Sequence, residues 1–264
     1  MKKIIDCHCH IYPDKIASKA VESIGRFYDI PMTSKGTLED LKIAGENAGI
    51  THYVVFSVAT TPHQVGSINK FIANTVEEHK GLMTGLGTLH PDSEDQQADI
   101  EELISLGLKG VKLHPDIQGI RIDDPRCMQI YKLCEGRLPI LFHTGDYRYD
   151  FSNPARVKTV LDMFPGLKVI GAHFGGWSIW ERASEELHNY ENFMVDCSSS
   201  LYALDPKTAA DLVRLYGANR VLFGTDYPMW RPNDELDRFY AMNLTEEENE
   251  LILHKNAEKL FGIQ

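Results

Sequence analysis

The sequence lacks the features of a nucleic-acid-binding, membrane or secreted protein. Only 27 of its 264 residues are Lys or Arg, against 38 Asp or Glu, and the net charge of −11 argues against the basic face that nucleic acids and anionic membranes require. No apolar run approaches the roughly 18 residues of a membrane-spanning helix. The first residues, MKKIID, lack the apolar stretch and cleavage site of a secretory signal. We therefore expect a cytoplasmic protein whose partner is a small-molecule substrate.

Cysteine is also scarce, and the five cysteines are an odd number. In a chain with no export signal, this argues for free thiols rather than a disulfide framework. Linkers and low-complexity tracts are absent too, which predicts a single domain over residues 1–264. The G-x-G-x-x-G pattern of a dinucleotide-binding sheet does not follow the first predicted strand.

Eight short apolar runs alternate with helical segments along the whole chain. The predicted strands are KIIDCHCHI, THYVVFSVAT, LMTGLGTLHP, LKGVKLHPDI, LPILFHTGD, LKVIGAHFGG, NFMVDCSSS and NRVLFGTDYP. Helices are expected at about 15–27, 38–49, 64–79, 94–106, 125–134, 153–164, 178–190 and 206–216, and a helical tail begins with a capping box at Thr245 and Glu248. Eight parallel strands with covering helices close most simply as a (β/α)8 TIM barrel, and a doubly wound open sheet is the alternative. The segment 28–37 is a predicted loop near the barrel mouth.

Reactive side chains concentrate where the predicted strands end. Six of the eleven histidines lie at strand ends, together with one lysine and one aspartate. They are His8, His10, His90, His114, His143 and His173, with Lys112 and Asp226. Because a TIM barrel places its active site at the carboxyl ends of its strands, we expect these side chains to meet at one mouth.

The stretch CHCH at residues 7–10 places four potential metal ligands in a row. Side chains alternate across a strand, so Asp6, His8 and His10 share one face while Cys7 and Cys9 share the other. If the two histidines point into the barrel, both cysteines face the surrounding helices. The alternation therefore predicts two ligands here and the remaining ligands elsewhere in the chain.

Imidazoles and a carboxylate at one mouth indicate a metal site. Such donors suit one Zn²⁺ ion, and Mn²⁺, Fe²⁺ or Co²⁺ also accept them. An ion with an open coordination position lowers the pKa of bound water towards about 7. Asp226 could take the proton of that water as a general base.

The ordered motifs DCHCHIYP, GVKLHP, FHTG, GAHFGG and GTDYP resemble the amidohydrolase superfamily. They are most similar to its amidohydrolase-related branch, which contains aminocarboxymuconate-semialdehyde decarboxylase. The resemblance implies that His8, His10 and His143 are imidazole ligands and that Asp226 ligates the metal or handles the water's proton. It implies that His173 lies beside the metal and acts as a base or polarises the substrate.

Lys112 has several possible roles. It could bind a substrate carboxylate or pair with an inward acid such as Asp6. The resemblance implies a third role, carboxylation in a binuclear site with His173 as a second-metal ligand. The GVKLHP context resembles the mononuclear members and favours a single ion. Further candidates for substrate contact are His114, Arg148, Trp177 and Arg231, of which the two arginines could clamp a carboxylate.

Two reactions use the same predicted site. The first is hydrolysis of an amide, ester or lactone bond of a small molecule by metal-activated water. The second is non-oxidative decarboxylation of a small unsaturated or aromatic acid. A non-catalytic metal-binding barrel is a third hypothesis, against which the complete ligand set argues. The sequence leaves open whether the chain forms homo-oligomers.

Overall fold

The computed structural model describes residues 2–264 and contains nine strand segments, all paired in parallel. They are β1 (Ile5–His10), β2 (His52–Phe56), β3 (Met83–Gly85), β4 (Gly87–Thr88), β5 (Val111–Leu113), β6 (Ile140–Phe142), β7 (Val169–Gly171), β8 (Phe193–Asp196) and β9 (Val221–Leu222). They form two runs in chain order, β1 to β3 and β4 to β9.

Backbone hydrogen bonds join the two runs into one ring. Only Leu86 separates β3 from β4, which together form the third predicted strand. Lys109 N donates to Gly85 O at 2.8 Å on the far side of this break. At the other edge, Cys7 N donates to Phe223 O at 2.9 Å, which connects the first strand to the last. The ring therefore contains eight strands in chain order, and the predicted (β/α)8 barrel is confirmed.

Helices follow the strands as the sequence pattern predicts, with small shifts at their ends. They are α1 (Asp14–Tyr28), α2 (Leu38–Ala48), α3 (Val65–Glu78), α4 (Gln96–Ser105), α5 (Pro115–Gln118), α6 (Met128–Cys134), α7 (Pro154–Met163), α8 (Trp180–Leu187), α9 (Pro206–Tyr216), α10 (Pro232–Ala241), α11 (Glu246–Glu250) and α12 (Asn256–Phe261). Two of them, α5 and α10, were not predicted; each begins with a proline, whose fixed φ suits a first helical position. The capping box of Thr245 and Glu248 is confirmed at the start of α11. No helix within residues 2–264 is long and apolar enough to cross a membrane.

The strands bury both of their faces, which explains why they read as nearly continuous apolar runs. One cluster of side chains fills the inside of the ring, and a larger one lies between the ring and the helices. The inner cluster contains Ile5, Cys7, Val54, Phe56, Leu86, Leu141, Ile170, Ala172 and Leu222, together with Ala257 and Phe261 of α12. Below the polar mouth the barrel is thus a packed core rather than a pore.

The alternation predicted for β1 is correct for one cysteine and wrong for the other. Cys9 packs in the outer cluster, as predicted, but Cys7 packs in the inner one. The reason is a shift of register between Asp6 and Cys9, where β1 pairs with β2. A bulge inserts a residue into the strand and disturbs the alternation of faces. His8 and His10 both reach the barrel mouth despite this shift.

Candidate metal centre and active-site cavity

Three predicted ligands converge at the barrel mouth. His8 Nε2 and His10 Nε2 lie 3.3 Å apart, and Asp226 Oδ1 lies 3.3 Å from the first and 3.5 Å from the second. Donors bound tetrahedrally to one ion at about 2.0–2.1 Å are separated by about 3.4 Å from each other. The three atoms therefore already have the spacing that a single divalent ion requires.

Hydrogen bonds hold Asp226 in this orientation. Its backbone has a positive φ of 57°, a left-handed conformation that is uncommon for a residue with a side chain. Its Oδ2 accepts a hydrogen bond from Ser199 Oγ at 2.5 Å, which leaves Oδ1 facing the histidines. Thr225, the residue before Asp226, donates hydrogen bonds to the Asp6 carboxylate of β1 from its N at 2.9 Å and from its Oγ1 at 2.6 Å. Asp6 thus ties the first strand to the loop that carries Asp226.

A buried carboxylate that the sequence analysis missed orients His8. Asp196 ends β8, and its Oδ2 lies 2.9 Å from His8 Nδ1. An imidazole that donates from Nδ1 to a carboxylate keeps its lone pair on Nε2, the atom that faces His10 and Asp226. The signal for Asp196 was an acid at the end of an otherwise apolar strand, FMVD. His8, His173 and Asp196 form a second group of potential donors. Because Asp196 is hydrogen-bonded to His8 Nδ1, we interpret this second group as a support for the group of His8, His10 and Asp226.

His173 and His143 lie directly beside the three converging donors. His173 Nδ1 is 3.0 Å from Ser198 O, to which it donates, so its Nε2 carries the lone pair. That Nε2 lies 3.1 Å from His143 Nδ1, and the His143 ring stacks on His114 with centroids 4.1 Å apart. The donor group of His8, His10 and Asp226 does not include His143, whose ligand role stays a prediction.

Burial keeps these imidazoles neutral, which is the form that binds a metal. It lowers the pKa of His8, His10, His114 and His143 well below the ordinary value of 6.5. Burial has the opposite effect on Asp226 and raises the pKa of its carboxyl from 3.8 to about 7. The site can therefore bind a cation once the Asp226 carboxyl has lost its proton.

Lys112 lies under the site and is completely buried. Its Nζ is 3.3 Å from His8 Nε2 and 5.3 Å from the centroid of the Phe56 ring. Burial lowers the pKa of the ammonium group to about 8, against the opposing attraction of Asp196 and Asp226. The hydrogen bonds of the Asp6 carboxylate come from Thr225 and the His8 backbone. The structure therefore does not show the predicted pairing of Lys112 with Asp6.

A cavity of about 580 Å³ opens above the candidate metal ligands. His8, His10, His143, His173 and Asp226 form its floor, and α1 and α3 provide much of its wall. Tyr28 at the end of α1, which the sequence analysis did not single out, points its hydroxyl to His114 Nε2 at 2.7 Å. Met32 also contributes to the lining. The prediction that the segment 28–37 lies near the mouth is thereby confirmed.

Four of the five residues predicted to contact substrate, Lys112, Arg148, Trp177 and Arg231, lie outside this lining. Asp146 binds the Arg148 guanidinium in a bidentate ion pair, with Nε–Oδ1 at 2.9 Å and Nη2–Oδ2 at 2.7 Å. Trp177 is buried against the edge of Tyr28. Arg231 is exposed before α10 and lines a separate cleft. The structure thus brings His114 to the cavity, but neither arginine.

A ring of parallel strands with histidines and an aspartate gathered at its carboxyl ends is typical of metal-dependent TIM-barrel enzymes. The chain belongs to the amidohydrolase family, whose model matches residues 5–263. The resemblance found in the sequence is confirmed, and the protein is an enzyme of the amidohydrolase superfamily. The comparison with curated proteins found no match.

Several solved structures share the fold over the whole chain. An uncharacterized TIM-barrel protein of Bordetella bronchiseptica, Bb4693, is 24% identical with a TM-score of 0.80 over 99% of both chains. A dihydroxybenzoic acid decarboxylase of Polaromonas sp. JS666, with bound manganese, is 16% identical with a TM-score of 0.76 over 100% of this chain and 98% of that one. A candidate 2-pyrone-4,6-dicarboxylic acid hydrolase of Pseudomonas putida is 18% identical with a TM-score of 0.71 over 100% and 99%. At these identities the likeness establishes the fold.

Proposed function

We propose that this enzyme hydrolyses an amide, ester or lactone bond of a small molecule with the help of one divalent ion. The observation that carries the proposal is the convergence of His8 Nε2, His10 Nε2 and Asp226 Oδ1 on one point at the cavity floor. Two imidazoles and a carboxylate suit Zn²⁺, with Mn²⁺, Fe²⁺ and Co²⁺ as alternatives. When bound, such an ion would supply Lewis acidity, which polarises a carbonyl and acidifies water.

Asp226 is the residue that moves the proton in this proposal. Its Oδ1 faces the floor of the cavity, and its second oxygen is held by Ser199. In its ionised form the carboxylate can accept a proton from the attacking water and return it to the leaving group. Asp226 Oδ1 lies 3.3 Å from His8 Nε2 and 3.5 Å from His10 Nε2, so it can reach the same reacting atoms as the two histidines.

His173 and the pair of Tyr28 and His114 would orient the substrate. His173 presents an unprotonated Nε2 because its Nδ1 donates to Ser198 O. The Tyr28 hydroxyl lies 2.7 Å from His114 Nε2 and lines the same cavity. A substrate carbonyl beside these groups would meet their hydrogen-bonding atoms.

Decarboxylation by the same residues is the alternative, and the dihydroxybenzoic acid decarboxylase shares the fold. Its substrate must carry a carboxylate. Among the residues described, 2–264, Lys15 at the rim is the single Lys or Arg of the cavity lining. Arg148, the most obvious carboxylate ligand near the mouth, is occupied by Asp146. These two observations favour hydrolysis of an uncharged group.

The test is a panel of esters, lactones, amides and aromatic acids. The protein is purified without a metal-affinity tag, loaded with Zn²⁺ or Mn²⁺, and assayed in parallel for release of acid and of CO₂. Acid release supports the proposal, whereas CO₂ release from an aromatic acid would replace it with the decarboxylase. His8→Ala should abolish turnover, and His188→Ala, which removes a histidine at the end of α8, should not. Turnover by a folded His8→Ala variant would rule out the metal site as the catalytic centre.

A further inference from the structure

Two helices line the cavity with apolar side chains. On α1 and on α3 these side chains follow a helical spacing of three or four positions. They are Ile16, Ala20, Ile24 and Phe27 on α1, and Ile68 and Phe71 on α3. This spacing places each set on one face of its helix. Both apolar faces therefore border the same cavity.

Most of these apolar side chains remain partly exposed, although they face inwards. Ala17 is the one buried residue of α1, and Ile16 is 45% exposed. Ile24, Phe27, Ile68 and Phe71 have intermediate exposure. An apolar surface of this kind, continuous with the floor of an active site, loses its contact with water when an apolar ligand covers it.

The wall and the floor of the cavity differ in chemistry. The floor carries the histidines and Asp226, whereas Val58, Met32 and Met229 extend the apolar wall beyond the two helices. Gln64, just before α3, and Ser67 on α3 are exposed and precede its apolar pair, Ile68 and Phe71. A ligand that fits this arrangement has a carbonyl group at one end and an apolar body at the other.

We infer that the substrate carries an apolar alkyl or aryl group that binds between α1 and α3 while its scissile bond lies at the floor. This inference rests on the proposed function, whose reacting bond it places at the metal-binding residues. It adds the substrate class: an uncharged ester, lactone or amide with an apolar acyl part. The length and flexibility of methionine side chains at the wall suit such a group, because they adapt to its shape.

The test uses n-alkyl hydroxamic acids, whose head group binds divalent ions and whose tail can be lengthened one methylene at a time. Their affinity for the Zn²⁺-loaded protein is measured by titration calorimetry, from acetohydroxamate to octanohydroxamate. Burial of the tail should tighten binding about fourfold per methylene. Affinity that does not change with tail length would overturn the inference.

Two variants locate the tail. Ile24→Asn on α1 and Ile68→Asn on α3 should each reduce the ratio of octano- to acetohydroxamate affinity by about tenfold, because a polar amide replaces an apolar contact. Ile43→Asn makes the same change on α2, at a side chain that is 53% exposed outside the cavity, and should keep the wild-type ratio. Circular dichroism and thermal unfolding confirm that each variant folds. A full chain-length effect in both folded cavity variants would show that the tail binds elsewhere, and would overturn the inference.

A parallel assay separates this inference from the proposed function. p-Nitrophenyl esters of the same acyl chains are offered to the same metal-loaded protein. If neither ester turnover nor hydroxamate affinity depends on chain length, the apolar subsite is refuted and the proposed hydrolase activity is unaffected. If hydroxamate affinity rises with tail length but no ester, lactone or amide is hydrolysed, the proposed hydrolase activity is refuted and the apolar subsite is supported.

Discussion

Asp196 Oδ2 lies 2.9 Å from His8 Nδ1, and both side chains are buried. The two residues are 188 positions apart in the sequence, on β1 and β8, which closure of the barrel brings to either side of β9. The contact gives His8 a defined tautomer and directs Nε2 to the point where His10 and Asp226 also converge. An imidazole without such a partner would rotate and exchange its proton between both nitrogens.

Asp196→Asn should weaken metal binding without unfolding the barrel. The amide can donate a hydrogen bond to His8 Nδ1, which would move the imidazole proton to Nε2 and block the lone pair. Loss of such a partner typically costs 10- to 100-fold in metal affinity, about the effect expected here. The dissociation constant for Zn²⁺, measured by competition with a chelating dye, provides the check. Asp211→Asn removes a carboxylate at the surface of α9 and is the control; equal affinity in both variants would refute the role of Asp196.

Metal affinity should fall as the pH drops below about 7. Burial raises the pKa of Asp226 to about 7, so below that pH a proton occupies the carboxylate that the ion needs. The neighbouring imidazoles are already neutral, because burial holds the pKa of His8 and His10 well below 6.5. Calorimetry at pH 6 in two buffers of different ionisation enthalpy should detect proton release on binding in the wild type and much less in Asp226→Asn. Equal proton release by both proteins at this pH would contradict this assignment.

Glu235→Gln should stabilise the protein at high pH and have little effect at low pH. Burial raises the pKa of Glu235 on α10 from 4.5 to about 7, although Arg238 pairs with one oxygen; its Oε2 has no hydrogen-bond partner. Below pH 4.5 the carboxyl is protonated in both the folded and the unfolded chain. As the pH rises to about 7, only the unfolded chain gains from ionisation, so the free energy of unfolding falls by up to about 3 kcal/mol.

Urea unfolding with a chelator present, at pH 5 and pH 8, measures this effect. The variant should exceed the wild type in unfolding free energy at pH 8, and the difference should shrink at pH 5. Glu185→Gln on α8 changes an exposed carboxyl and serves as the matched control. A constant difference at both pH values would mean that Glu235 does not titrate as described.

Lys112→Met should leave one metal ion bound per chain and tighten its binding. The ammonium nitrogen lies 3.3 Å from His8 Nε2, so its charge repels a cation at that atom. Metal analysis after dialysis and the Zn²⁺ dissociation constant provide the two readouts. Two equivalents in the wild type, dependent on bicarbonate and reduced to one in the variant, would establish the binuclear site with a carboxylated lysine instead.

The sequence could predict the barrel and the cluster of reactive residues at its mouth because both depend on order along the chain. Strand ends of a parallel barrel meet at one mouth, so His8, His10 and Asp226 were expected together before their distances were known. The same reasoning located His143 and His173 beside them. It failed for Cys7, because a bulge in β1 is an irregularity in pairing with β2 that strict alternation does not anticipate.

The residues that were missed or misplaced depend on contacts between distant elements. Arg148 was a candidate for binding substrate until the fold showed Asp146 holding its guanidinium in two hydrogen bonds. Tyr28 belongs to a helix whose path over the barrel mouth decides where its hydroxyl points. In the sequence, Asp196 is simply the last residue of an apolar strand. Its hydrogen-bond partner, His8, lies on β1, and only the folded barrel brings the two together.

The amino-acid sequence by itself determined the eight-unit barrel, the family and the row of reactive residues at the strand ends, because periodicity and spacing are local properties. Only the tertiary structure decided the tautomer of His8, the separation of His143 from the three converging donors and the apolar cleft between α1 and α3. Hydrogen bonds and cavities are set within a few tenths of an ångström, by the angles at which the barrel closes and α1 crosses its mouth. No pattern along the chain encodes those angles directly.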